Sequence, residues 1–256
     1  MSGRDNAAMK TPELTIAGHV ATISLRRPTE ANRLGPDDLA ALSDHLAAVN
    51  AKDSVLVLRL QATGKYFCSG YDIGSLGGER AVDFEDVANA LEEARPVTIA
   101  VLQGGVYGGA TDLALACDFR IGTPAVDMFM PAARLGLHYY PRGLQRYVSR
   151  LGVDAAKRLF LTAEKLPADE MKRIGFLTEL VAADDLATTA DRLSDTLASM
   201  APIALLGMKK HLNDIARGSF DLHAARHDMA RTAASADLKE GRAAWAEKRA
   251  PHFTGR

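Results

Sequence analysis

The chain has 256 residues, 47% apolar and 25% charged, an ordinary balance for a globular protein long enough to bury a sizeable core. Its 31 basic and 32 acidic residues leave a net charge of −1, which argues against broad nucleic-acid binding, because counterion-driven affinity needs a concentrated positive face. No uninterrupted apolar run approaches the roughly 20 residues of a membrane span, and the opening MSGRDNAAMK lacks the apolar stretch of a signal peptide, so neither nucleic acid nor membrane is an expected partner.

From Glu13 to Leu25 the sequence alternates about a Gly18-His19 turn, which predicts a β-hairpin. Pro36 opens a predicted helix in which Leu39, Leu42, Leu46 and Val49 recur at helical spacing, ending near Asn50. VLVLRL at 55–60 predicts a buried strand, and the stretch 63–78 carries five glycines, too many for a regular element. Asp83 to Ala94 returns to helix, Arg95-Pro96 stops it, and VTIAVL at 97–102 predicts a second buried strand. QGGVYGG follows as a turn that leads directly into a helix over ATDLALAC. DFRI at 118–121 is a short strand, and helical patterns dominate from about Leu144. Ala-Pro pairs at 201–202 and 250–251 mark helix boundaries. Strands early and helices late predict an α/β core with a helical C-terminal part.

Several familiar motifs fail on a single residue. The turn at 104–109 has Val106 where a dinucleotide-binding G-x-G-x-x-G needs its second glycine, and no Walker lysine follows. Ser69 in FCSGY lacks the glycine two positions earlier that a nucleophile elbow requires. His223 and His227 stand four apart on a predicted helix without an acidic partner at motif spacing. Cys68 and Cys117, the only cysteines, belong to no CxxC and no Cys/His pair, so no metal is expected. Two reduced thiols fit a cytoplasmic protein. What remains is a pair of small-residue turns, GKYFCSGYDI and GGVYGGATDL, each placed after a buried strand. Two backbone N–H groups converging there would stabilise an oxyanion, usually the main source of rate enhancement in sites of that kind. Two tight turns that merely feed a sheet have the same spacing.

These residues resemble the crotonase, or enoyl-CoA hydratase/isomerase, superfamily over nearly the full length. The resemblance is carried in family order by LRRPTEANRLG, GKYFCSGYDI, RPVTIAVLQGGVYGGATDLALACDFRI, FMPAARLGL and EGRAAWAEKRAPHF. It implies a crotonase-like (ClpP/crotonase) spiral of β-β-α turns over residues 1–200, a helical trimerisation region over 201–256, and a homotrimer or a hexamer built from two trimers. It also implies an acyl-CoA thioester substrate, with coenzyme A present only as part of that substrate and no further cofactor. Carried over position by position, the oxyanion donors fall on the N–H groups of Tyr71 and Gly109. The backbone around Ser69, Asp72 and Ile73 is expected to hold the adenine, Arg27 and Ala31 to contact the nucleotide and its phosphates, and Lys248 to reach a neighbour's CoA.

The departures from the family pattern bear on the reaction. Hydratases of the family place two glutamates around one water; here the first position falls on Asp112 and the second on Ala132, which has no proton to transfer. Asp112 is the expected acid or base, and Tyr71, Tyr139 and Tyr140 crowd the expected acyl site. VYGGATDL and LGLHYY look most like the methylmalonyl-CoA decarboxylase branch, in which a tyrosine falls on Tyr139. Isomerisation and decarboxylation both survive the loss at Ala132, two-carboxylate hydration is disfavoured, and a catalytically silent acyl-CoA-binding subunit is the reading from another class.

Overall fold

The computed structural model describes residues 11–75 and 81–256; MSGRDNAAMK, read for a leader, and the end of the glycine-rich stretch 63–78 lie outside the described residues. β1 (Glu13–Ala17) and β2 (Val20–Leu25) form the antiparallel hairpin. A 3-10 turn at Pro28–Glu30 leads to α1 (Pro36–Asn50). Its Asp38 carboxylate accepts from the Gly35 N–H at 2.7 Å, and Leu39, Leu42, Leu46 and Val49 are buried along one stripe.

Successive strand-strand-helix turns follow. β3 (Val57–Ala62), β4 (Tyr66–Cys68) and α2 (Phe84–Glu92) make the first, and β5 (Val97–Leu102), β6 (Gly105–Tyr107) and α3 (Gly109–Ala116) the second. β7 (Phe119–Gly122) and β8 (Asp127–Phe129) open the third, which passes a 3-10 turn at Ala132–Leu135 into α4 (Pro141–Leu151) and α5 (Val153–Thr162). The chain continues through β9 (Leu166–Pro167), α6 (Ala168–Arg173), β10 (Glu179–Leu180) and α7 (Leu186–Ala198). It closes with α8 (Pro202–Arg217), α9 (Leu222–Ala233) and α10 (Ala236–Glu247). In each turn the first strand joins a six-stranded sheet of order β1-β2-β3-β5-β7-β10, and the short second strand joins a four-stranded sheet of order β4-β6-β8-β9. From β2 to β10 the larger sheet is parallel, as is the β4-β6-β8 part of the smaller one. This is the spiral of β-β-α turns.

Both faces of the larger sheet are covered, and all six residues of β5 are buried, which explains its continuous apolar run. One face packs on the main core, where Leu39, Leu58, Phe67, Leu102, Leu113 and Tyr147 meet; the other packs on α7 through Leu186, Ala190 and Leu197. Each large apolar side chain so buried contributes about 1.5–3 kcal/mol. Two short strands lie where the sequence pattern predicts only turns: β4 within the glycine-rich stretch and β6 within QGGVYGG. At three residues each, and flanked by glycine, neither shows a period. The first buried strand also begins at Val57 rather than Val55.

The C-terminal helices behave differently from the core. Lys209 is the one buried side chain of α8; its ammonium donates to the Ala94 and Pro96 carbonyls at 2.7 and 2.5 Å and pairs with Asp118 at 2.9 Å. Met208, Leu212, Ile215, Met229 and Trp245 are exposed, Trp245 to 87%. Among the described residues no helix is long and apolar enough to cross a membrane, and no group of three His, Cys, Asp or Glu stands close enough to hold a metal ion.

Candidate active site

Two backbone turns meet at one end of the smaller sheet. β4 and β6 pair in parallel, so the turns after them, at Ser69–Tyr71 and Gly108–Gly109, emerge side by side. Gly70 has φ +96°, and a Cβ there would stand 2.7 Å from the Tyr107 carbonyl oxygen and 3.2 Å from the Gly109 nitrogen. Only glycine lets the first turn lie against the second. Leu34 donates to the Gly70 carbonyl at 2.9 Å and accepts from the Asp72 N–H at 2.8 Å, so the Tyr71 N–H, alternating between them, is directed away from Leu34. Gly109 opens α3; its N–H has no acceptor within the helix and sits at the positive end of the dipole. A Cβ on Gly109 would meet the Phe84 ring at 2.7 Å, which places the first turn of α2 over this donor.

Both turns open into a cavity of about 360 Å³, lined by Ser69, Gly70, Tyr71, Ile73, Gly108 and Gly109 on one side and by Ala132, Leu135, Leu137, Tyr139 and Tyr140 on another. Asp83, Phe84, Glu85 and Asp86 of the α2 start complete it. The wall is aromatic: Tyr71 and Phe84 pack edge-on at 6.1 Å, Phe84 and Tyr140 lie at 6.5 Å, and Tyr139 stacks on Tyr140 at 4.3 Å. A larger cleft of about 1050 Å³ lies between α8 and the edge of the core, and none of the candidate site residues named from the resemblance lines it.

Asp112 is the residue whose surroundings depart most from the sequence expectation. It lies on α3, but its carboxylate is fully buried behind Tyr140 and does not line the cavity. Oδ2 accepts from Arg146 Nη1 at 2.6 Å and from the Tyr140 hydroxyl, which itself accepts from Tyr139 at 3.2 Å. The same guanidinium, with a fully buried side chain, donates to Glu92 at 2.9 and 3.3 Å and to Asn89 Oδ1 at 2.9 Å. Burial alone would raise the Glu92 carboxyl, but the hydrogen bond and charge of Arg146, with Arg150 and Arg217 behind it, hold it below its ordinary value. Burial, then the Asp112 charge, pushes the Tyr139 and Tyr140 phenols far above theirs, so both stay protonated and donate hydrogen bonds rather than act as bases.

The other residues singled out in the sequence sort into two groups. Arg27, Ala31, Ser69 and Asp72 share one surface: the Ser69 N–H donates to the Ala31 carbonyl at 2.9 Å, and Asp72 pairs with Arg33 at 3.5 Å. Arg27 is held by Asp38 and by the Arg33 carbonyl at 2.8 Å, and Ile73 is 56% exposed at the cavity mouth. Lys248 ends α10 and does not reach the cavity within one chain. Cys68 and Cys117 are buried, and burial pushes both thiols up to about 12.

Sequence reasoning passed over the residues that build this arrangement. Asn32 is buried and donates to the Thr63 and Tyr66 carbonyls, both at 2.9 Å, fixing the early loop to β4. Arg142, Arg146 and Arg150 recur every four residues along one face of α4, and the acidic surface that this stripe meets is Glu92 and Asp112. Phe84 and Glu85 belong to no recognised block, and only the fold brings them to the turns at Gly70 and Gly109.

The enoyl-CoA hydratase/isomerase family model matches residues 15–256. Among similar curated proteins, the crotonyl-CoA hydratase of Syntrophomonas wolfei is 29% identical over 244 residues, which cover 91% of this chain and 94% of that protein. The short-chain-enoyl-CoA hydratase of Clostridium acetobutylicum is 29% identical over 204 residues, or 77% and 78% of the two chains. Among solved structures, an enoyl-CoA hydratase from Bacillus anthracis superposes with a TM-score of 0.84 at 28% identity, covering 96% of this chain and 100% of that one.

Proposed function

The chain belongs to the enoyl-CoA hydratase/isomerase family, and from that premise we propose that it binds an acyl-CoA thioester and forms the thioester enolate between the N–H groups of Tyr71 and Gly109. One observation carries this reading: the close approach of the Gly70 turn to the Gly109 nitrogen, which brings both backbone donors to the same cavity wall. Negative charge that develops on the thioester oxygen would be met by two fixed dipoles, one of them at a helix N-terminus. The nucleotide would lie over the surface shared by Arg27, Ala31, Ser69, Asp72 and Ile73.

Proton movement without addition of water is the chemistry that the cavity favours. The position of the second family glutamate is the methyl of Ala132 on the cavity wall, and the first, Asp112, is engaged by Arg146 behind Tyr140. An allylic isomerisation, which carries one proton from the α to the γ carbon, needs neither of them. Decarboxylation of a methylmalonyl-type acyl group is the second reading, favoured by Tyr139 on the wall. Against it, three acidic side chains line the cavity, Asp83, Glu85 and Asp86, and would disfavour an acyl carboxylate.

The exposed apolar side chains of α8, α9 and α10 support a homotrimer or hexamer formed through these helices, with Lys248 reaching a neighbour's nucleotide. Mass spectrometry of a panel of enoyl-, malonyl- and aryl-CoA thioesters after incubation tests the reading. Conversion of a β,γ-enoyl-CoA to its conjugated isomer is the expected result. No change in any thioester would support a silent binding subunit, and loss of CO2 from a malonyl-type thioester would support the decarboxylase.

A further inference from the structure

With Ala132 inert and Asp112 enclosed, an enolate-forming reaction still needs a group on the cavity wall that holds a proton. Tyr139 and Tyr140 remain protonated phenols. His138 is exposed, with Nδ1 at 2.8 Å from the Tyr139 carbonyl, and Asp83 and Asp86 are exposed carboxylates at the mouth. Glu85 differs from all of these. It is half-buried, it lines the cavity, and no hydrogen bond or ion pair engages it among the described residues.

Its direction follows from the helix. Glu85, Asn89 and Glu92 stand at i, i+4 and i+7 on α2 and share one face. Asn89 and Glu92 both contact Arg146, so this face is turned toward α4, whose start carries Tyr140. Glu92 and Asp112 are occupied by that guanidinium, while Glu85 lies about two turns closer to the helix start than Glu92 and lines the cavity with Tyr140. Its neighbour Phe84 packs on Gly109, so the first turn of α2 is fixed against the second oxyanion donor.

We propose that Glu85 is the catalytic proton carrier of this enzyme. The inference rests on formation of the enolate between Tyr71 and Gly109. The Glu85 carboxylate takes a proton from the α-carbon of a β,γ-unsaturated thioester. The C–H electron pair enters the conjugated system as a dienolate, with its charge on the thioester oxygen between the Tyr71 and Gly109 N–H groups. The protonated Glu85 then returns that proton to the γ-carbon, the double bond moves into conjugation with the carbonyl, and the carboxylate is restored. Neither water nor an external oxidant or reductant is consumed.

The test is exchange of α-hydrogens of 3-hexenoyl-CoA in D2O, followed by mass spectrometry together with isomerisation, using the full-length protein. Wild type should exchange and isomerise. Glu85→Gln should lose both by about 100-fold or more, the range for removal of a positioned acid-base group, with unchanged circular dichroism and unchanged affinity for the thioester. Glu85→Asp should retain part of the activity. Exchange by wild type that survives in Glu85→Gln would overturn this inference and leave the enolate reading standing. A wild type that neither exchanges nor isomerises would overturn both.

Discussion

Replacing Arg146 by Met should destabilise the protein far more than an ordinary core substitution of similar volume. The guanidinium is fully buried and holds two carboxylates. Glu92 keeps other cations in the variant, Arg142 at 3.3 Å and Arg150 at 3.6 Å, whereas no other cation pairs with Asp112 among the described residues. Leaving one buried charge uncompensated costs about 3–5 kcal/mol. For a chain of this length each kcal/mol lowers Tm by about 2–4 °C, so a drop of about 6–20 °C is expected in calorimetric or dichroic melting. Removing the second charge should restore much of the loss, because a buried pair replaced by apolar groups is often close to neutral. Arg146→Met with Asp112→Leu should therefore melt above Arg146→Met alone. Equal melting of the single and double variants would refute the electrostatic clamp.

Three further outcomes follow from the same contacts. Glu92 has a folded pKa held below its ordinary value of 4.5, so its contribution is complete above that pH and is lost as the pH falls through it toward the folded value; Glu92→Gln should flatten this acid limb in a stability–pH series. Gly70→Ala forces a methyl to within 2.7 Å of the Tyr107 carbonyl at φ +96°, so the turns at Gly70 and Gly109 must separate. Turnover should fall by about 10²–10³-fold while the affinity for free CoA holds. Ala132→Glu alone should add little hydration of crotonyl-CoA, since Arg146 and Tyr140 hold the carboxylate that would have to act with it; a gain of about 10²-fold in a hydration assay would show that Asp112 reaches the substrate after all.

In the larger sheet β1, β2, β3 and β5 were legible because they are apolar or alternating runs, whereas the two-residue β10 was not, and α1 was legible because Pro36 and four spaced apolar residues announce it. The smaller sheet was not, because three-residue strands between glycines leave no period to read, although its pairing is what sets Gly70 against Gly109. For the site, residue-by-residue resemblance located both turns and set Ala132 at the position where hydratases of the family carry a glutamate. It could not show that Asp112, a carboxylate in a family position, is neutralised by an arginine 34 residues away. That outcome depends on how α4 packs on α2 and α3, which no local pattern records. The arginine stripe of α4 was the available signal, and it reads as an ordinary solvated face until the facing acids are known.

The central claim is that two backbone N–H groups polarise a thioester carbonyl in the cavity beside Gly109. Isotope-edited infrared spectroscopy of a bound acyl-CoA labelled with ¹³C at the thioester carbonyl reads that polarisation directly. The labelled carbonyl band should move to lower frequency on binding to wild type and return toward its solution position with Gly70→Ala. A band that stays at its solution frequency in the bound wild-type complex would contradict the claim.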